Sequence, residues 1–191
     1  SQSDFIRKDE RNPEMTVLMR KSLMCLFTGG VLLFSGVVFA VDVQIKITGT
    51  VQIPPCRVNE GRVIEVDFGD IAVTDVANER NRRVKQIPVT CDNNQGDAWI
   101  KVTGSKLGSN DNILATNIQN FGIALYQGEG TSTKLILGDG RSNGQNTIGY
   151  RLTNGFTGSH FTFTAVPFKN GSNDLATGSF SASANMSISY F

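Results

Sequence analysis

The chain has 191 residues, enough for one domain of ordinary size. Lys and Arg number 18 against 17 for Asp and Glu, a net charge of +1, and the residues from position 41 onward carry 13 of each sign. A balance this close to neutral speaks against a nucleic-acid or anionic-membrane partner, and the single histidine leaves little for acid–base or metal chemistry.

Residues 1–14 are polar and precede Met15 and Met19, and residues 1–18 read as an upstream extension rather than structure. Residues 19–40 read as a secretory signal peptide: Arg20 and Lys21, then an apolar run from Leu23 to Phe39, then Val38-Phe39-Ala40 with small residues at the cleavage positions. Gly29, Gly30, Ser35 and Gly36 make that run a poor membrane anchor. Cys25 leaves with it, so Cys56 and Cys91 remain as an even pair in an exported protein and are expected to form a disulfide.

Residues 41–53 alternate strictly. Val43, Ile45, Ile47, Gly49, Val51 and Ile53 are separated by Gln44, Lys46, Thr48, Thr50 and Gln52, the period of a strand with one buried face. Pro54 and Pro55 stop it. The domain proper is then 54–191. Arg62–Phe68 alternates again, with Val66 and Phe68 inward and Val63 or Ile64 undecided. Strands are expected over Val84–Cys91, Ala98–Thr103, Phe121–Leu125, Thr147–Leu152 and His160–Phe168. Residues 113–120 suit a helical turn, and Gly138–Asn146 an exposed loop. From Gly178 the chain alternates once more: Phe180, Ala182, Ala184, Met186, Ile188 and Tyr190 against Ser181, Ser183, Asn185, Ser187 and Ser189. Eight or nine short strands with turns between them predict a two-sheet β-sandwich in one domain. The terminal strand closes the chain and needs a neighbour, either from residues 43–53 of the same molecule or from another molecule.

Candidate chemistry is sparse, and no catalytic, cofactor or metal residue is assigned. His160 sits beside a polar turn, as a surface histidine would. Glu65 and Asp67 share the face of a strand that is expected to be solvated. Arg80–Lys85 reads as a basic loop entering an edge strand, and Trp99, on an alternating strand, as core. The sequons at Asn170 and Asn185 are read as chance.

The two alternating ends, Gly49, the pair Cys56 and Cys91, Gly178 and the penultimate Tyr190 together resemble the pilin subunits of bacterial chaperone–usher fimbriae. Within that family the stretches 42–56, 99–104, 113–132 and 161–172 are most similar to small tip-adaptor subunits, with a longer loop at 138–149. The resemblance implies an incomplete immunoglobulin-like β-sandwich, lacking its last strand and completed by a donated one. It implies that Val43, Ile45, Ile47, Gly49, Val51 and Ile53 form a donor strand. Gly178, Phe180, Ala182, Ala184, Met186, Ile188 and Tyr190 would line the groove that a chaperone or the next subunit fills. The implied partners are a periplasmic chaperone, an outer-membrane usher and neighbouring pilus subunits including a tip adhesin. The implied place is the fimbrium at the bacterial surface, reached through the periplasm. The implied role is a tip adaptor, with a shaft pilin or a sugar-binding adhesin as alternatives.

Overall fold

The computed structural model describes residues 43–191, so the expected upstream stretch and signal peptide lie outside the described residues. Residues 48–191 form one compact unit, and the chain up to Ile47 is grouped apart from it.

The fold is a two-sheet β-sandwich. One sheet runs β1 (Arg57–Val58), β2 (Arg83–Thr90), β9 (His160–Lys169), β5 (Phe121–Gln127), β4 (Ile113–Ala115), with β8 (Phe156–Thr157) added to β9. The other runs β10 (Ala184–Tyr190), β3 (Ala98–Gly104), β7 (Asn146–Arg151), β6 (Arg141–Asn143). All these pairs are antiparallel. Alternation builds the core between the sheets: Ile87 and Val89 of β2, Phe161, Phe163 and Ala165 of β9, and Phe121, Ile123 and Leu125 of β5 are all buried. Ile100 and Val102 of β3 and Ile188 of β10 join them in the same cluster. Cys56 and Cys91 are bonded and tie the entry of β1 to the exit of β2, 35 residues apart. Closing a loop of that length constrains the unfolded chain by roughly 3–4 kcal/mol.

Five sequence expectations are corrected. Residues 113–115 pair with β5 as a strand and do not form a helical turn. Part of the expected loop 138–146 is β6, in a hairpin with β7. Trp99 is not core. Ile100 and Val102 take the inward positions of β3, so Trp99 faces outward, with the Arg141 guanidinium 5.5 Å from its ring centre. Arg62–Phe68 is extended but pairs with no strand among the described residues. The terminal strand begins its pairing at Ala184, not near Gly178, because its partner β3 ends at Gly104. A β-carbon on Gly104 would lie 2.7 Å from the Leu114 side chain and 2.8 Å from the Ser183 carbonyl, so only glycine lets the chains meet there.

Candidate strand-acceptor groove

A groove runs between two stretches of the chain, Val63–Ile71 and Gly178–Met186. It holds two neighbouring compartments of about 600 and 400 Å³ that share Val66, Phe68 and Phe180 in their lining. The side chain of Phe180 borders both, 4.7 Å edge-on to Phe121 and 6.1 Å from Phe68. Val102, Leu114, Ile123, Leu125, Phe163 and Ala165 floor the smaller compartment. These residues come from both sheets, so the sandwich core itself is reachable through the gap.

The first wall is Val63–Phe68. Val63 points out and is 83% exposed, Ile64 and Val66 are half-buried, and Phe68 is buried, which settles the inward set as Ile64, Val66 and Phe68. No backbone amide or carbonyl of Val63–Phe68 bonds to another backbone group among the described residues. Side chains hold its ends instead. Asn59 Nδ2 donates to the Arg62 and Val63 carbonyls, and Arg83 donates to the Asp67 and Phe68 carbonyls.

The second wall is the terminal strand, and its register says which groups are free. The Val102 carbonyl accepts from Gly138 N–H, on the side away from β10, and Val102 lies opposite Met186. The Ile188 carbonyl accepts from Cys56 N–H, likewise on the side away from β3. Backbone direction alternates along a strand. The odd-numbered residues of β10 therefore bond to β3, while Ala184 and Met186 aim their amides and carbonyls at the groove. Among the described residues, Cys56, just ahead of β1, takes up this outer edge at Ile188. An open edge of this kind above an apolar floor is a template for another strand.

The side chains expected to line the groove divide by depth. Ile188 is fully buried at one end of the strand, and Met186, Phe180 and Tyr190 are half-buried. Tyr190 packs against Phe156 rather than into the gap. Ala182 and Ala184 are exposed on the groove, and Gly178, with φ 141°, borders its larger compartment. Residues 43–53 carry no secondary structure. Val43, Ile45, Ile47, Val51 and Ile53 are 81, 81, 90, 102 and 43% exposed, and a β-carbon on Gly49 would meet nothing within 4 Å. His160 is exposed, as are Glu65 and Asp67. Among the described residues no group of three or more His, Cys, Asp and Glu side chains is placed to hold a metal ion.

The sequence pattern pointed to the groove's apolar faces but not to the polar side chains that hold them. Arg83 reaches carbonyls 15 and 16 residues away, and Asn117 reaches backbone groups 62 and 64 residues away. Neither belongs to a motif.

The sequence model of the family described as "Fimbrial protein" matches residues 45–191. The chain belongs to the fimbrial protein family. It is 50% identical over 162 residues to the minor fimbrial protein PrsF and to the fimbrial adapter PapF, both of Escherichia coli, covering 83% of this chain and 94% of each relative. An uncharacterized fimbrial-like protein of the same species, YfcQ, is 30% identical over 122 residues. Among solved structures, the P pilus adaptor subunit PapF, studied for its polymerization reactivity, aligns at 45% identity with a TM-score of 0.53, over 74% of this chain and all of PapF. The P pilus rod subunit PapA aligns with a TM-score of 0.52 over 78% of this chain at 20% identity, which speaks to fold alone. The two-sheet pilin fold and the fimbrial assignment thus rest on sequence and structure together.

Proposed function

We propose that this fimbrial subunit is a minor structural component that works as an adaptor, joining a tip adhesin to the tip fibre by strand exchange. The observation that carries the reading is the groove: an apolar floor, one wall without a strand partner, and Ala184 and Met186 offering free backbone groups along the other. A second strand laid there would bond to that edge and set its alternate side chains on the floor. Ala182 and Ala184 are small and exposed, which leaves room for a larger side chain of the guest. In this reading a periplasmic chaperone fills the groove first. The next subunit replaces it at the outer-membrane usher, and the finished protein stands in the fimbrium at the cell surface.

Residues 43–53 are the complementary part, a strand given to a neighbour. Their apolar side chains alternate and are exposed, a costly arrangement unless something covers them. Covering about five such side chains at roughly 2 kcal/mol each totals on the order of 10 kcal/mol, comparable to the stability of a whole domain. We assign no catalysis; the relatives are named as fimbrial proteins, minor or adapter. The likeness to PapF favours an adaptor over a shaft pilin, and one domain leaves no separate lectin module for an adhesin within residues 48–191. An adaptor should be present in purified fimbriae in proportion to the adhesin, whereas a shaft pilin would far exceed it.

The test compares two charges on adjacent residues. Ala184→Asp puts a carboxylate into the groove at an exposed position, so it should leave the domain's own packing intact while an incoming strand would have to bury it. Asn185→Asp puts the same charge on the exposed opposite face. Co-purification with the chaperone should be lost for Ala184→Asp and kept for Asn185→Asp. Equal recovery of both would overturn the groove as the binding site.

A further inference from the structure

We infer that Asn117 is a positioning residue that lengthens the acceptor edge beyond the last true strand pair, so that Phe180 and Ala182 also bind the guest backbone. This rests on the groove accepting a strand. The ladder between β10 and β3 stops at Ala184 opposite Gly104, yet residues 179–183 upstream carry no turn or bend. There the side-chain amide of Asn117 takes the place of a strand. Its Nδ2 donates to the Ser179 carbonyl at 3.0 Å, and its Oδ1 accepts from the Ser181 amide at 2.8 Å. Ser179 and Ser181 have the same parity as the residues of β10 that bond to β3. The asparagine thus continues the β3 side of the ladder by two further residues. Phe180 and Ala182, of the other parity, are left with amides and carbonyls directed to the groove that both border.

Asn117 itself is exposed, so its placement comes from the loop that carries it. After Gly104 the chain doubles back: Leu107 N–H donates to the Ile113 carbonyl, and Ala115 N–H to the Ser105 carbonyl. Thr116 then locks the turn. Its Oγ1 donates to the Phe121 carbonyl at 2.9 Å and accepts from Ile118 N–H at 3.1 Å. The amide of Asn117 is thereby held beside the end of β3 before any guest arrives, which lowers the entropic cost of ordering residues 179–183 at the moment of binding.

The experiment is residue-resolved amide hydrogen exchange on the subunit refolded from denaturant with an excess of a synthetic peptide copying residues 43–53. With the native residue, the peptide should slow exchange at Phe180, Ala182, Ala184 and Met186. In Asn117→Ala, protection at Phe180 and Ala182 should fall roughly tenfold while that at Ala184 and Met186 is kept, the scale expected for losing two hydrogen bonds. Asn117→Asp, which keeps the acceptor for Ser181 but loses the donor to Ser179, should fall between. Unchanged protection at Phe180 and Ala182 in Asn117→Ala would overturn the inference, and so would an equal loss at all four amides. Absence of protection at all four in the native subunit, with this peptide and with bound chaperone alike, would instead overturn the acceptor reading beneath it.

Discussion

Arg83 places its guanidinium on four backbone carbonyls. Nε donates to Asp67 at 3.0 Å, Nη2 to Phe68 at 2.9 Å, and Nη1 to Arg80 and Arg82 at 2.9 and 3.1 Å. The same group lies 5.7 Å over the Phe68 ring, which packs toward Phe180. One side chain thus joins the groove's unpaired wall to the start of β2. Arg83→Ala should lower the stability of the groove-filled subunit by about 2 kcal/mol in chemical denaturation, the scale of hydrogen bonds to a charged group. Arg83→Lys should recover only part of that, since an ammonium cannot reproduce the planar fork. None of this was legible in the sequence, where Arg80–Lys85 reads as a solvated basic run. A local window sees the charges but not the carbonyls brought to Arg83 by the fold. Trp99 failed for a related reason. Its strand lies where the alternation predicts it, but alternation alone gives two faces, and Ile100 and Val102 take the inner one.

At the level of elements, the alternating stretches were the legible part. Arg83–Thr90, Ala98–Gly104, Phe121–Gln127 and His160–Lys169 all form where the apolar period placed strands. The short strands β4 and β6 leave no signal in the sequence because three residues are too few to show a period, and tertiary pairing alone makes them strands. Arg62–Phe68 is the instructive case. Its pattern is that of a strand and its inward side chains pack as one, yet no strand of the described chain lies beside it. An element with strand sequence and no partner is what a site for a guest strand looks like from inside one chain. The converse element is residues 43–53, and its prediction concerns Gly49. A leucine there adds bulk at the middle of the proposed donor without touching the subunit's own domain, since Gly49 has no neighbour within 4 Å. Gly49→Leu should therefore leave recovery with the chaperone unchanged and block joining to the subunit that accepts the strand. Normal incorporation into fimbriae would contradict the donor assignment.

For the whole molecule, the described unit is a sandwich whose core is partly open. The disulfide, the antiparallel ladders and the apolar cluster hold two sheets together, but Val102, Leu114, Ile123, Leu125, Phe163 and Ala165 lie at the bottom of a groove rather than under a strand. A domain built this way should be marginal by itself, because the free energy left after paying conformational entropy is only a few kcal/mol even for complete folds. Filling the groove should bury the guest's apolar side chains against that floor and pair the free edge at Ala184 and Met186. The measurement that tests this most directly is equilibrium unfolding of the purified subunit, bare and with its groove filled by a bound strand, followed alongside by light scattering. The filled form should unfold at much higher denaturant, with a gain on the order of 10 kcal/mol, while the bare form should aggregate or unfold readily. A bare subunit that stays monomeric and unfolds at the same denaturant concentration as the filled one would contradict the account.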